Sequence, residues 1–409
     1  MKRRDFFTTP LALPLGGLAR TGDASAPDLG NLYEFLDWSA GKNRLGLSYL
    51  DARWRSLDEW KQLARAFFQR QLSFDPPAVP VSAEIQGVEE RDGYTIETVK
   101  IRATEVHEIP AWVLVPSRRR EKLPGILAIH CHGGCYVLGH EKILSHPNDP
   151  EPAVRYRAKA YGRAYTEVLV RRGFVVLVVD GFYFGSRRLA VEKLPPDDAP
   201  PYMVRALESF HAMKPKSPEW YSQVDRICGE YEHLTAKTIF AAGATWPGIL
   251  TWDDRRSVDY LCSRPEVDGS RIGCVGLSIG GLRTAHLVAA DPRIKAACIT
   301  GWMTAFRTQL RKHLRHHTWM AYIPGLYAAM DLPDAVGALA PHALLVQQCS
   351  RDSLYPLEGM KSSAAKLEKI WAKAGAPERF RAVFHDVPHS FTPEMQEDAF
   401  QWLEKWLKE

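Results

Sequence analysis

Gly276-Leu277-Ser278-Ile279-Gly280, followed by Gly281, sets a serine among small residues. The apolar run Ile272 to Gly276 precedes it and a helical pattern, Gly281 to Ala290, comes after. A serine on a sharp strand-to-helix turn exposes its hydroxyl. The helix starting behind it turns free N–H groups and a positive dipole end toward charge that develops there. The chemistry this spacing allows is nucleophilic attack on an acyl carbonyl. A serine hydroxyl is a weak nucleophile and needs a base, and the base needs an orienting acid. Asp352 lies just after the run Ala343 to Cys349, and His389 lies in Val387-Pro388-His389-Ser390-Phe391, a predicted loop between the last strand and the last helix. Ser278, Asp352 and His389 all fall at C-terminal ends of predicted strands, the edge where sheets flanked by helices place ligands. Asp180 also ends a strand but precedes the serine; its expected role is to hydrogen-bond the loop Gly181 to Arg187. His385, on a strand's tail, is expected to be a packed or surface residue.

A tetrahedral intermediate needs N–H donors for its oxyanion. One is the N–H of Ile279. The other is expected from His130-Cys131-His132-Gly133-Gly134-Cys135, through His132 or Gly133. That stretch also has the residue types of a metal site. Alternate residues at a strand end point apart, however, and no second Cys/His pair occurs at metal spacing, so neither metal nor cofactor is expected. His313, His316 and His317 are expected on a polar helix face.

These residues require a scaffold that brings distant segments together. Strand-like runs, several apolar on both faces, alternate with helical patterns from Gly125 onward. The strands are Gly125 to Cys131, Phe174 to Asp180, Ile272 to Gly276, Lys295 to Thr300, Ala343 to Cys349 and Phe380 to His385. The helices are Pro152 to Arg172, Arg255 to Cys262, Gly281 to Ala290, Leu357 to Ala374 and Glu394 to Leu407. This alternation predicts an α/β fold with a mostly parallel central sheet covered by helices on both sides. Upstream, Ser56-Leu57-Asp58-Glu59 has the capping-box pattern and opens a helix with Trp60, Leu63, Ala64, Phe67 and Phe68 on one face. Tyr94 to Ile101 and Ala111 to Val115 predict a hairpin beside the main sheet. Leu189 to Trp252 is too long for an ordinary connection and is expected as a helical insertion over the site. Tyr183, Trp246, Trp252 and Trp319 are candidate pocket aromatics, and Trp302 to Leu339, with Trp319, Tyr322 and Tyr327, a candidate second wall. The expected organisation is an export segment (1–26), an N-terminal helical extension (27–90) and a catalytic domain (91–409) with its insertion near 189–252.

The chain has 409 residues, of which 45% are hydrophobic and 25% charged, which excludes a disordered tail, a fibre and a disulfide-framework miniprotein. A net charge of +5 is too small to indicate a nucleic-acid partner, and the runs Arg118 to Arg120 and Arg311 to Arg315 read as solvated surface. No segment reaches about 18 uninterrupted apolar residues, so no stable membrane insertion is expected. Lys2-Arg3-Arg4, a weakly apolar stretch broken by Pro10, Pro14 and Gly16-Gly17, and Ala24-Ser25-Ala26 together resemble a twin-arginine export signal. That resemblance implies a periplasmic or extracellular protein. Seven cysteines cannot all pair within one chain.

Five stretches carry a wider resemblance: HCHGGCYVLGHEKI (His130 to Ile143), RGFVVLVVDGFYFGSR (Arg172 to Arg187), DDRRSVDYLCSRPEVDGSRIGCVGLSIGG (Asp253 to Gly281), AYIPGL (Ala321 to Leu326) and VPHSFTPEM (Val387 to Met395). From about Trp54 to the C-terminus the chain resembles the α/β-hydrolase superfamily, and within it the bacterial dienelactone-hydrolase-like and acetyl-xylan-esterase-like proteins. The resemblance implies Ser278, Asp352 and His389 as a catalytic triad, no cofactor, and a small-molecule or carbohydrate ester as substrate. The family's first motif more often reads HGHGG; Cys131 stands here for its first Gly. Dienelactone hydrolases proper use a cysteine nucleophile, so Ser278 points toward ester substrates. The expected function is that of a serine carboxylesterase on small acyl, notably acetyl, esters, including those on carbohydrate. Two other readings are a serine peptidase, which lacks here a preceding propeller-like array of strands, and a non-catalytic binding protein, against which stands the intact triad.

Overall fold

The computed structural model describes residues 26–118 and 121–409. The segment expected to be an export signal, up to Ser25, and Arg119 and Arg120 of the basic run lie outside the described residues. Among the described residues nine strands form one sheet: β1 (Ala83–Arg91), β2 (Tyr94–Arg102), β3 (Glu108–Pro116), β4 (Leu123–Ile129), β5 (Val175–Val179), β6 (Val267–Leu277), β7 (Ile294–Thr300), β8 (Ala343–Cys349) and β9 (Phe380–His385). Their spatial order is β1-β2-β3-β5-β4-β6-β7-β8-β9. The first three pair antiparallel, and β3 meets β5 antiparallel. The remaining six strands run parallel, as the alternating strand and helix patterns predict. The chain winds from β4 outward to β5, then returns past β4 to β6. Between β4 and β6 lies the point where parallel sheets open a crevice.

The described residues also form eleven α-helices: α1 (Tyr33–Ala40), α2 (Leu57–Leu72), α3 (Glu151–Ala160), α4 (Tyr165–Arg171), α5 (Val204–His211), α6 (Pro218–Ala241), α7 (Trp246–Ser263), α8 (Ile279–Ala290), α9 (Leu332–Gly337), α10 (Leu357–Lys373) and α11 (Pro393–Lys408). One core packs α2, α7, α8 and α10 on one face of the sheet; another packs α3, α4 and α11 on the other. The predicted helix Pro152 to Arg172 is two helices, broken at Gly162, whose φ is +73. In α2 the Ser56 hydroxyl accepts the Glu59 N–H at 3.3 Å, as the capping pattern predicts. The buried stripe is Trp60, Ala64, Phe68 and Leu72, strictly four apart; Leu63, expected inside, is 48% exposed. Strand β1 begins within the segment 27–90, expected as a helical extension. No helix among the described residues is long and apolar enough to cross a membrane. All seven cysteines are free thiols.

The turn at Ser278 is held by helices that are buried nearly all round. Along α8 every residue from Ile279 to Ala289 is buried. Arg283 on α8 forks onto Asp254 of α7 at 2.6 and 3.1 Å, a paired charge that fixes one helix against the other. His286, one turn further, packs beside the Phe68 ring, and its Nε2 has no hydrogen-bond partner. Burial lowers its pKa from 6.5 to about 3. Between those values the unfolded chain binds a proton that the folded chain does not, so stability falls as pH falls. Replacing the ring removes that drain. Between about pH 7 and pH 5 the wild type is expected to lose about 2 kcal/mol more stability than His286→Leu, measured by urea denaturation at both pH values. Equal losses would show that His286 does not drive the acid sensitivity.

Candidate active site

Ser278 stands at the end of β6 and caps α8 with φ 61 and ψ −126. Few non-glycine residues take such angles, and they concentrate at functional turns. The flanking glycines permit the turn: a Cβ on Gly276 would stand 2.4 Å from the Gly280 carbonyl carbon. Ser278 N–H donates to Thr300 O at 2.9 Å, tying the turn to the end of β7.

The other two expected residues meet beside it. His389 Nδ1 and Asp352 Oδ2 are 2.5 Å apart, and the Asp352 side chain is fully shielded from solvent. The second oxygen, Asp352 Oδ1, accepts the Leu354 N–H at 2.9 Å, so the carboxylate is held at both ends. His389 and Ser278 line one cleft of about 210 Å³, with Ile279, His132, Gly133 and Gly134 on the same wall. Gly301, just past β7, lies under the imidazole: a Cβ there would stand 3.3 Å from His389 Cε1 and 3.4 Å from Nδ1.

The loop after β4 is built from backbone and buried polar groups. Gly133 and Gly134 have φ of +63 and +70. A Cβ on Gly133 would collide with the Tyr156 hydroxyl, so only glycine fits there. His132 Nδ1 accepts the Gly134 N–H at 3.0 Å, which leaves Nε2–H to face Glu232 Oε1 at 3.3 Å. The same oxygen accepts from Tyr136 at 2.8 Å and Thr318 at 2.7 Å. Glu232, on insertion helix α6, thereby links the insertion to both walls of the cleft. Burial pushes its carboxyl up, but the bonds from His132, Thr318 and Tyr136 prevail and hold it below the ordinary value.

The candidate pocket aromatics require a correction. Trp246, Trp252 and Tyr183 are buried core residues away from the cleft lining. Their polar atoms donate to Phe182 O, Ala103 O and Cys228 O, the use a packed Trp or Tyr makes of its polar end. Trp319 stands behind the wall, donating to His233 Nδ1 at 2.9 Å. The wall itself is Trp302, His316, His317, Thr318 and Leu354. The segment Trp302 to Leu339 is thus a wall as expected, but through different residues. His313, His316 and His317 do not share a helix face: His313 has φ 78, and His313 Nδ1 and His317 Nε2 bond to the carbonyls of Ser353 and Leu354, beside Asp352. His317 is stacked on Tyr355, and burial holds it neutral, with a pKa lowered to about 4. No periodicity or motif marks these positions in the sequence.

Asp180 does what the sequence suggests. Its Oδ2 accepts from Ser186 N and Oγ, and its Oδ1 from His140 N and Nδ1. His140, Glu141 and Asp180 bring ligand-type atoms within 4.8 Å of one another. Glu141 Oε2 accepts the Gly139 N–H, so hydrogen bonding to the protein itself engages the cluster.

The sheet order, the turn at Ser278 and the loop after β4 decide the fold. The chain has the α/β-hydrolase fold. A candidate acetyl xylan esterase from Bacteroides fragilis has a similar structure, with a TM-score of 0.64 and 16% identity, over 88% of this chain and 84% of that one. A glucuronoyl esterase from Solibacter usitatus has a TM-score of 0.55 and 15% identity, over 85% and 91%. In sequence the chain is 25% identical to YtaP, a candidate hydrolase of Bacillus subtilis, over 81% of this chain and 95% of that protein. No family model matches.

Because Gly301 has a φ of +59 and a Cβ there would push the imidazole by a few tenths of an ångström, Gly301→Ala is expected to slow covalent labelling of Ser278 by a fluorophosphonate about tenfold. An unchanged rate would show that His389 does not depend on this gap.

Proposed function

We propose that this protein is a serine esterase that hydrolyses small acyl esters, acetyl esters of carbohydrate among them. The observation that carries the reading is one cleft holding a serine on a strained turn, a histidine anchored by a shielded aspartate, and a glycine loop. In this mechanism His389 takes the Ser278 proton as Oγ attacks the ester carbonyl. The N–H of Ile279 and an amide of the 132–133 segment receive the oxyanion. His389 returns the proton to the departing alcohol, and a water activated by the same imidazole releases the acid from the acyl-enzyme. Asp352 holds the imidazole with Nδ1 protonated, so Nε2 is the basic atom.

The substrate class draws support from two sides. A cleft of about 210 Å³ suits a small acyl group or a single sugar unit better than a long chain. The Bacteroides and Solibacter proteins of similar fold carry the names of an acetyl xylan esterase and a glucuronoyl esterase. Export rests on the resemblance within residues 2–26 alone.

Turnover of a chromogenic acetyl ester, compared with acetylated xylo-oligosaccharides and a glucuronate ester, tests the reading. Ser278→Ala is expected to lose about a thousandfold or more of the rate while unfolding at the wild-type temperature. Equal rates in variant and wild type would remove Ser278 from the mechanism.

A further inference from the structure

Lys142 is the most deeply buried lysine near the cleft, with no exposed surface. Its ammonium donates to Cys131 O and His132 O, each at 2.9 Å. The Phe184 ring lies 4.5 Å from Nζ and the Tyr156 ring 5.8 Å. No carboxylate among the described residues reaches ion-pair distance; Asp225 and Glu141 act on the ammonium only from further away. A buried charge without a counter-ion costs several kcal/mol, and such groups concentrate at functional sites.

The two carbonyls it holds belong to the peptides 131–132 and 132–133. In a trans peptide the C=O and the next N–H point in opposite directions. Anchoring Cys131 O and His132 O on one side therefore turns the N–H groups of His132 and Gly133 to the other. Neither amide has a partner among the described residues, and both residues line the cleft with Ser278. Each carbonyl receives a second donor. His130 Nε2 accepts the Gly181 N–H, which leaves Nδ1–H to donate to Cys131 O at 3.0 Å, and Cys135 N–H donates to His132 O at 3.2 Å. The carbonyl side of the loop is saturated, and the amide side is open.

We infer that Lys142 is a positioning residue for the oxyanion hole, turning the His132 and Gly133 amides into the cleft and placing a positive charge behind them. The inference rests on the esterase reading of Ser278. Asp225 and Glu141 compensate the lysine only from beyond ion-pair distance, and the oxyanion, present only while the carbonyl is tetrahedral, adds a negative charge on the amide side of the loop. Burial lowers the lysine's pKa, but both N–H···O bonds remain available to it in either protonation state.

The test compares wild type with Lys142→Met, which keeps the length and removes donors and charge, and Lys142→Gln, which keeps two donors and removes the charge. End-point labelling by a fluorophosphonate counts competent sites, so each rate is expressed per labelled chain. Lys142→Met is expected to lower kcat for a chromogenic acetyl ester about 10- to 100-fold, with KM changed less than about threefold. It is also expected to weaken an aryl boronic acid, which forms a tetrahedral adduct on the serine, by the same factor. Lys142→Gln is expected between Met and wild type. A lysine that only fills space would lower the unfolding temperature and leave kcat per site and boronic-acid affinity within about threefold of wild type; that result overturns the inference. Wild-type protein that labels and turns over normally alongside such a variant leaves the esterase reading intact. Wild-type protein that takes no label overturns both.

Discussion

The backbone of Ser278 is held where a side-chain-bearing residue does not rest unaided. A φ of 61 with a ψ of −126 costs of the order of 1–3 kcal/mol, and the surrounding structure must supply it. It does so by packing and hydrogen bonds rather than by local preference. Gly276 and Gly280 close on each other across the turn, Thr300 O receives the serine's own N–H, and Leu282 N–H returns to Ser278 O to start the helix. Behind these, Arg283 and Asp254 lock α8 to α7. The result is a hydroxyl at the edge of the sheet, with the first amide of α8 beside it.

Strand order does the rest of the positioning. The loop after β4 and the turn after β6 are neighbours, and so are the loops after β8 and β9 that carry Asp352 and His389. Strand β7 lies between the two pairs, and its C-terminal end leads into Gly301, the residue with no side chain to block the histidine. The parallel sheet thus brings Asp352, His389, Ser278 and the loop after β4 together along one edge. The insertion helix α6 adds Glu232, which ties the loop after β4 to Thr318 on the far wall. Side-chain bonds from two directions, Glu232 to His132 and Lys142 to the carbonyls, leave the loop after β4 little freedom.

Residues whose types are dictated by geometry are legible in the sequence. Gly276 and Gly280 bracket a serine because nothing larger fits, and that pattern between a strand and a helix locates Ser278. The parallel strands β4, β5 and β8 read as apolar runs because both their faces are covered. Strand β1 is not legible: as an edge strand with Gly87 beside a bulge and five exposed residues in a row, it lacks the alternation that marks a half-buried strand. The pocket aromatics fail for the opposite reason. Trp246 and Trp252 serve a buried helix, and composition does not separate a core tryptophan from one that faces a ligand. His317, Thr318 and Lys142 act through bonds to carbonyls and carboxylates far away in the chain, contacts that only the assembled fold creates.

The esterase reading depends on covalent acylation of Ser278 Oγ during turnover. The most direct measurement mixes the protein with a chromogenic acetyl ester, quenches it in acid within the first turnover, and maps the modified peptide by mass spectrometry. One acetyl group per chain is expected, carried by the peptide containing Ser278 and absent from Ser278→Ala. Acetyl on another residue, or release of the chromophore without any acylated chain, would contradict it.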